Sequence, residues 1–198
     1  MKQYLAELAN PMDSPLSFSK HYSPIDVPFL ETESHGDYDR GTWRERSHYT
    51  GEQSVENLHG EVFIPPMMIK NAISNAAKYL SVRIPGKGQS TYTKHFEAGL
   101  MVTDSIMLGI KKSELKSETL YLPADGQRGG TKRVDRTFPR IESWKGTVTL
   151  LVYDETVTGD VLREHLIEAG KFIGLGRFRP RNNGYYGRFF VTDFGCVS

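Results

Sequence analysis

The chain has 198 residues, of which 38% are hydrophobic and 25% charged, and its formal net charge is +1. A protein that coats duplex DNA would carry more positive charge overall, so any nucleic-acid role must depend on charges gathered into patches. Its one cysteine, Cys196, excludes an internal disulfide framework and a cysteine-based zinc site, and no run of about 18 apolar residues or signal peptide is present. We therefore expect a cytoplasmic protein without membrane contact.

The N-terminal part combines short strand patterns with a long polar segment. Residues 2–8 and 15–21 predict one strand that a proline-containing turn at 10–15 interrupts. From Tyr22 to His59 the apolar periodicity fades, which predicts a long insertion of mixed charge. For individual residues in such an insertion, a solvated position is the more common outcome.

The clearest helix pattern follows a proline pair. Glu61–Ile64 predicts a strand that ends at Pro65 and Pro66, and Met67–Leu80 predicts a helix. Its apolar residues lie at positions 69, 72, 73, 76, 77 and 80. Spacings of three and four align on one helix face, which we expect to lie against the core.

A first basic segment, residues 83–96, comes after this helix. It combines Lys87 and Lys94 with interleaved aromatic residues, and it lacks the glycine and lysine spacing of a nucleotide-hydrolysing phosphate loop. Basic and aromatic side chains in this pattern fit contact with a single-stranded nucleic acid.

A second basic segment, residues 126–140, lies between predicted strands at 98–110 and 119–123 and a further strand at 146–153. It has five positive residues and one acidic residue. Its candidate binding residues are Arg128, Lys132, Arg133 and Arg136. In a nearly neutral chain such a cluster indicates a local positive potential, and the alternative is a solvated hairpin.

The segment 173–189 is rich in glycine, arginine and aromatic residues. It joins a predicted helix at 157–172, with apolar positions 161, 162, 166, 169, 172 and 173, to a final strand at 189–194. Glycine permits positive φ angles and close backbone approach, and arginine binds phosphate and stacks on bases. Phe178 and Tyr185 offer ring faces for unpaired bases. The alternative is an ordinary glycine-rich turn with solvated arginines.

Reduced to regular elements, the chain predicts an α+β fold with a ferredoxin-like (RRM-like) βαββαβ core. We expect a single domain, 1–198, with insertions at about 22–59 and 85–145. The second helix of this core leads into the last strand through a glycine-rich loop, Gly174-x-Gly176 and then Gly184-Tyr185-Tyr186-Gly187. A core with such a loop resembles the RAMP superfamily of CRISPR-associated RNA-binding proteins. The Ile64-Pro65-Pro66 entry to the first helix also looks like that superfamily. The chain is similar, too, to proteins of tailed phages and prophages that share the loop.

The resemblance implies a backbone-type subunit that holds single-stranded nucleic acid, RNA more than DNA, in a groove between repeated protomers or alongside other subunits. The positions that carry over as the glycine loop are Gly174, Gly176, Arg177, Arg179, Arg181, Gly184 and Gly187. Lys70 and Asn71 carry over as polar residues at the entry to the first helix.

Two alternative functions remain open from the sequence. Some members of the superfamily cleave RNA with a histidine as acid or base, and five histidines are predicted in loops, at positions 21, 35, 48, 59 and 95, with His21 and His35 as the candidates. The chain contains no paired-histidine metal motif and no nucleophile elbow, so we expect a non-catalytic protein without metal or cofactor. A phage-encoded protein that inhibits or mimics a CRISPR complex would keep the same fold and loop.

Overall fold

The structure, a computed structural model, describes residues 1–17, 61–111, 114–123 and 133–197, without the side chains of Glu61, Arg136 and Thr137. These residues belong to two compact units. The first comprises Met1–Leu16, Phe63–Leu108 and Glu142–Ser198, and the second comprises Ser17–Val62 and Gly109–Ile141. One domain with two insertions stays a prediction, because the insertion at 22–59 lies entirely outside the described residues.

The described residues contain the following regular elements. The strands are β1 (Lys2–Ala9), β2 (Leu16–Ser17), β3 (Glu61–Ile64), β4 (Leu100–Val102), β5 (Ile106–Lys111), β6 (Lys116–Pro123), β7 (Arg133–Ile141), β8 (Lys145–Val152) and β9 (Phe190–Val197). The helices are α1 (Pro66–Leu80), α2 (Thr93–Gly99) and α3 (Gly159–Glu168), which a π-helical turn (Ala169–Ile173) extends. A short 3₁₀ turn covers Pro180–Asn182.

A four-stranded antiparallel sheet, in the order β4-β8-β1-β9, lies at the centre of the first unit. β1 pairs with β8 on one side and with β9 on the other. Its side chains alternate, because Tyr4, Ala6 and Leu8 are buried whereas Leu5 and Glu7 are exposed. The sheet therefore has one face against the core, as the period of two along a strand requires.

Helices α1 and α3 each form where the sequence supplies both a start signal and an apolar stripe. α1 has a proline in its first turn, and Thr158 caps α3 by accepting a hydrogen bond from the Val161 amide at 3.4 Å. The predicted stripe of α1 is confirmed at five of its six positions, since Ile69, Ala72, Ile73, Ala76 and Ala77 are buried, whereas Leu80 is half-buried. Leu162 and Leu166 bury α3 in the same core.

The connections of this sheet show the α+β class directly. β1 and β4 are both antiparallel to β8, so they are parallel to each other with β8 between them. β8 and β9 are likewise both antiparallel to β1, and α3 joins them. Pairs of parallel strands that are linked through helices and separated by one strand form split βαβ units. The predicted α+β class is confirmed, and the ferredoxin-like assignment is the finer interpretation of this topology.

In the second unit, β7 lies between β6 and β2. β6 and β7 pair antiparallel along their length, from Lys116 opposite Arg140 to Pro123 opposite Arg133. Ser17 is buried and donates a 2.9 Å hydrogen bond to the Pro139 carbonyl. β3 and β5 pair with each other in a separate two-stranded sheet.

Four predicted elements differ from the observed ones. The single strand predicted at 98–110 is two strands, β4 and β5. The N-terminal pieces are two strands in different sheets, because the Asn10–Pro15 turn redirects the chain instead of bulging one strand. α2 was predicted as loop and the start of a strand. Residues 133–141, predicted as part of a basic excursion, form β7. Within the described part of the chain, no helix is long and apolar enough to cross a bilayer.

Candidate nucleic-acid interface

The glycine loop, residues 174–187, leaves the π-helical turn and leads to β9. The turn ends where the Gly174 amide donates to the Ala169 carbonyl at 2.9 Å, a bond that spans five residues. The Leu175 amide then donates to the Gly187 carbonyl at 2.8 Å, which closes the loop at its base. Leu175 and Phe189, on either side of this closure, are buried in the core. The residues between them therefore form a loop whose two ends are held in the core.

The glycines of the loop are required for two different reasons. Gly174, Gly176 and Gly187 have φ angles of 69°, 67° and 74°, in the left-handed region that favours glycine. Gly184 does not have a positive φ angle. A side chain is excluded at this position because a Cβ atom would collide with the main chain of Phe178. Of the two reasons for glycine that the sequence analysis named, close backbone approach is the one that applies at Gly184.

A turn near the N-terminus supports the loop from behind. The Ser14 hydroxyl donates to the Tyr185 carbonyl at 2.6 Å and accepts from the Arg188 amide at 3.1 Å. The Gly187 amide donates to the Pro15 carbonyl at 2.9 Å. These contacts join two parts of the chain that are far apart in sequence. They were not predicted, because nothing in the residues around Ser14 indicates a partner so far along the chain.

Asn10 in turn holds the Ser14 turn in place. Its side-chain amide donates to the carbonyls of Ser14 at 3.2 Å and Glu142 at 2.7 Å. Its side-chain oxygen accepts from the Trp144 amide at 2.7 Å. The support of the loop therefore extends to the start of β8.

Three arginines, Arg177, Arg179 and Arg181, alternate along the loop. The Arg177 guanidinium carbon lies 4.1 Å from the centre of the Phe178 ring, which is a cation–π arrangement. Burial lowers the pKa of Arg179, and the positive charge of Arg181 lowers it further. Among the described residues, no carboxylate lies at ion-pair distance from Arg179 or Arg181.

The buried edge of Arg179 adds a second indication of an anion site. Its Nε atom is buried and has no hydrogen-bond partner within the described ranges. A buried charged donor without a partner is costly, and a phosphate oxygen would satisfy it. The loop thus presents donors, positive charge and exposed rings together, with Tyr185 77% and Phe178 39% exposed.

The remaining predicted binding residues are distributed over both units. Lys70 lies on α1, Lys94 is exposed on α2, and the Lys87 ammonium donates to the Thr156 hydroxyl at 3.1 Å. Arg133 and Arg136 lie on β7 of the second unit, where Arg133 is exposed. Arg128 and Lys132 lie outside the described residues. The structure therefore brings together the loop residues, whereas the basic segment 126–140 belongs to the other unit.

The aromatic residues of the first basic segment do not face solvent. Tyr92 is 6% exposed and Phe96 is fully buried. Their rings contact the His165 ring, with centroids 5.6 and 4.5 Å from it. The interpretation of these rings as base-stacking residues is wrong, because α2 turns them into the core.

The described histidines have distinct environments. His95, predicted in a loop, lies on α2, and its Nδ1 is 2.5 Å from the Asp154 carboxylate. This hydrogen bond is the main cause of the lowered pKa of Asp154. His165 is buried in α3, and its Nδ1 is 2.8 Å from the Val161 carbonyl. His21 and His35 lie outside the described residues, in which no group of three His, Cys, Asp or Glu side chains is placed to hold a metal ion.

Comparisons with known proteins point to a fold rather than to a family. No protein-family model and no curated protein matches the chain. The structure is similar to a chain of the type III-B Cmr-beta complex bound to cognate target RNA, with a TM-score of 0.51 and 11% identity, over 100% of this chain and 61% of that chain. A chain of a CRISPR RNA-guided surveillance complex has a TM-score of 0.35 and 8% identity, over 93% of this chain and 66% of its own, which is too low a score to support a conclusion.

The similarity to the Cmr-beta chain is a similarity of fold. At 11% identity it concerns the fold alone, and the chain spans only 61% of that neighbour's length. The shared fold agrees with the α+β class. The geometry of the glycine loop is given by the contacts of this chain's own residues.

Proposed function

We propose that this protein binds single-stranded nucleic acid, RNA in preference to DNA, as a non-catalytic subunit of a nucleoprotein assembly. The observation that carries the proposal is the placement of Arg179 and Arg181 in the glycine loop, with no carboxylate at ion-pair distance in the described part of the chain. The half-buried Arg179 guanidinium favours a ligand that brings negative charge and hydrogen-bond acceptors. A phosphodiester backbone supplies both.

The exposed rings of the loop favour a single strand over a duplex. Phe178 and Tyr185 present aromatic surface beside the arginines. Bases in a duplex are stacked on one another, whereas those of a single strand have faces available for such rings. Because every base has such a face, we expect little sequence preference.

The fold similarity supports RNA as the ligand and an assembly as the setting. The Cmr-beta complex with which the chain shares its fold is described as bound to cognate target RNA. On this proposal the protein occupies a related position, with further copies or other subunits along one strand. An inhibitor or mimic of such a complex would share the fold but would not itself need to hold RNA.

Direct binding measurements test the proposal. The dissociation constant is measured for single-stranded RNA, single-stranded DNA and duplex DNA of equal length over a series of salt concentrations. We expect the single strands to bind more tightly than the duplex, and log affinity to fall with log salt by about 0.7 for each phosphate neutralised. Tighter binding to duplex DNA, or an affinity independent of salt, would contradict the proposal.

A second candidate function, metal-independent RNA cleavage, is favoured by the pair His95 and Asp154. The carboxylate lies 2.5 Å from the ring Nδ1 and so orients the imidazole. In that orientation Nε2 is the nitrogen left to accept a proton from a ribose 2′-hydroxyl, which would attack the adjacent phosphorus and release the 5′ oxygen with a proton from solvent. A general base held by a carboxylate is a common arrangement in enzymes.

Cleavage assays separate the two functions. End-labelled RNA is incubated with the protein in the presence of a chelator, and with His95→Ala and Asp154→Asn variants in parallel. The non-catalytic proposal expects intact RNA in all three reactions. Cleavage by the wild type that both substitutions abolish, with binding retained, would instead assign the second function.

A further inference from the structure

Two large aromatic side chains lie exposed beside the glycine loop. Tyr79, in the last turn of α1, is 53% exposed, and Phe172, in the π-helical turn, is 44% exposed. Their ring centroids are 5.5 Å apart with an angle of 35° between the planes. They form a small aromatic surface, contributed by two separate elements.

Phe172 lies on the surface within the π-helical turn. Its position in the apolar pattern predicts a buried residue, yet only Ala169 and Ile173 of that pattern are fully buried at this end of the helix. The amide of Gly174 bonds to Ala169, five residues back, so the backbone is wider here than in an α-helix, and within this turn Ile173 is buried whereas Phe172 is exposed. Insertions of this type are frequent at functional sites.

An arginine of the glycine loop completes the surface. The Arg181 guanidinium carbon lies 5.7 Å from the centre of the Tyr79 ring. Arg181 is exposed, and the described residues place no carboxylate at ion-pair distance from it. The nearby lysines differ, because Lys78 pairs with Glu97 at 2.6 Å and Lys171 pairs with Glu168 at 2.7 Å. Arg181 is thus the cation of this surface that a ligand anion can engage.

We infer that Tyr79, Phe172 and Arg181 form a base-stacking site, in which the rings contact an unpaired base and Arg181 contacts its phosphate. This inference rests on the proposed binding of single strands by the glycine loop and adds a subsite outside that loop. The combination of ring faces with an available guanidinium matches a nucleotide better than an apolar protein segment, which would leave Arg181 without an anion.

The test combines protein variants with an altered ligand. Affinity is measured for oligouridine and for the same oligonucleotide with abasic riboses, using Tyr79→Ala and Phe172→Ala. The matched control is Tyr153→Ala, since Tyr153 is also 53% exposed in the same unit. We expect each ring substitution to weaken oligouridine binding by about 5-fold or more and to leave abasic binding unchanged. The control should change neither.

The salt dependence separates the rings from the arginine. Tyr79→Ala should lower the affinity without changing the salt slope, whereas Arg181→Ala should reduce the slope by about 0.7, the value for one phosphate on a single strand. Tyr79→Leu and Phe172→Leu keep apolar contact area without a ring face, so they test stacking even if an alanine variant unfolds. On this inference they bind oligouridine as weakly as the alanine variants do.

The outcomes distinguish the inference from the proposed function. If the wild type does not bind single strands, the proposed function fails. If the wild type binds but the ring variants match Tyr153→Ala, or if their effect persists on the abasic ligand, the base-stacking site is overturned while the proposed function stands. Loss of self-association in the ring variants with unchanged oligouridine affinity would also overturn it, in favour of a protein interface.

Discussion

The Ser14 hydroxyl lies 2.6 Å from the main-chain oxygen of Tyr185, a residue 171 positions later in the chain. Ser14 is almost completely buried, and the same hydroxyl accepts a hydrogen bond from the Arg188 amide. One side chain therefore satisfies two main-chain groups at the end of the glycine loop, and it fixes that end against the turn that follows β1.

Ser14→Ala should destabilise the protein and loosen the loop. A buried donor or acceptor that loses its partner costs about 1–3 kcal/mol. This substitution removes the acceptor of the Arg188 amide, whereas the Tyr185 carbonyl keeps a second donor, the Arg188 guanidinium, at 3.3 Å. Chemical denaturation measures the free energy of unfolding, with Ser143→Ala as the control because Ser143 is exposed. Equal stabilities for the two variants would show that the Ser14 contacts contribute little.

Gly184→Ala should destabilise the protein through a collision rather than through an unfavourable φ angle. The added Cβ would meet the main chain of Phe178, and forcing atoms into a packed site costs about 1–3 kcal/mol. Gly195→Ala is the matched control, since a Cβ there would meet nothing within 4 Å. Thermal unfolding compares the two variants, and a loss of stability in Gly195→Ala as large as in Gly184→Ala would contradict this explanation.

Replacing Arg179 and Arg181 together by alanine should weaken RNA binding while leaving the fold intact. Neither forms an ion pair with a described carboxylate, so little native stabilisation is lost. The salt slope of RNA affinity should fall by about 1.4, which corresponds to two phosphates on a single strand. The double variant Lys145→Ala/Arg163→Ala removes the same charge from exposed positions outside the predicted binding segments and should keep the original slope. Unfolding of the first double variant with binding retained would make these arginines structural.

His165 should make stability depend on pH near neutrality. Burial lowers its pKa below the ordinary 6.5, although the hydrogen bond to Val161 and the charges of Glu164 and Glu168 oppose the shift. The unfolded chain therefore takes up a proton at a pH where the folded protein does not. Stability from this group is fully present above pH 6.5 and is lost as the pH falls towards the lowered pKa, by at most about 1.4 kcal/mol per pH unit.

The variant His165→Gln isolates this contribution. Urea unfolding of the wild type and the variant on both sides of pH 6.5 gives the difference in pH dependence, from which other titrating groups cancel. We expect the variant to lose less stability on acidification. An identical pH dependence would mean that His165 titrates alike in the folded and unfolded states.

Sequence periodicity predicted α1 well because its apolar residues repeat at a constant helical spacing. The same rule failed at Phe172, which is exposed in the π-helical turn at Ala169–Ile173, a change of helix type that no residue type in this segment marks. α2 was missed for a related reason, since Tyr92 and Phe96 lie in a segment whose glycines and lysines favour a loop.

The sequence predicted which residues form the loop of the candidate site, but it did not predict the contacts that other segments make with that loop. Glycine and arginine content identified the loop, because these residues have strong local preferences. The Ser14 support and the Tyr79 ring were not predicted, because both depend on contacts between segments that are distant in the chain. Local patterns contain no information about such partners.

The central position of β1 has a consequence for the order of assembly on the ribosome. β1 is synthesised well before both of its sheet partners, β8 and β9, and the Ser14 contact with the loop also joins residues 171 positions apart. Contacts of such high sequence separation form slowly. The nascent chain therefore carries β1 without its neighbours until β8 and β9 emerge, and the contacts that fix the glycine loop against the turn after β1 form only when the loop itself has been synthesised.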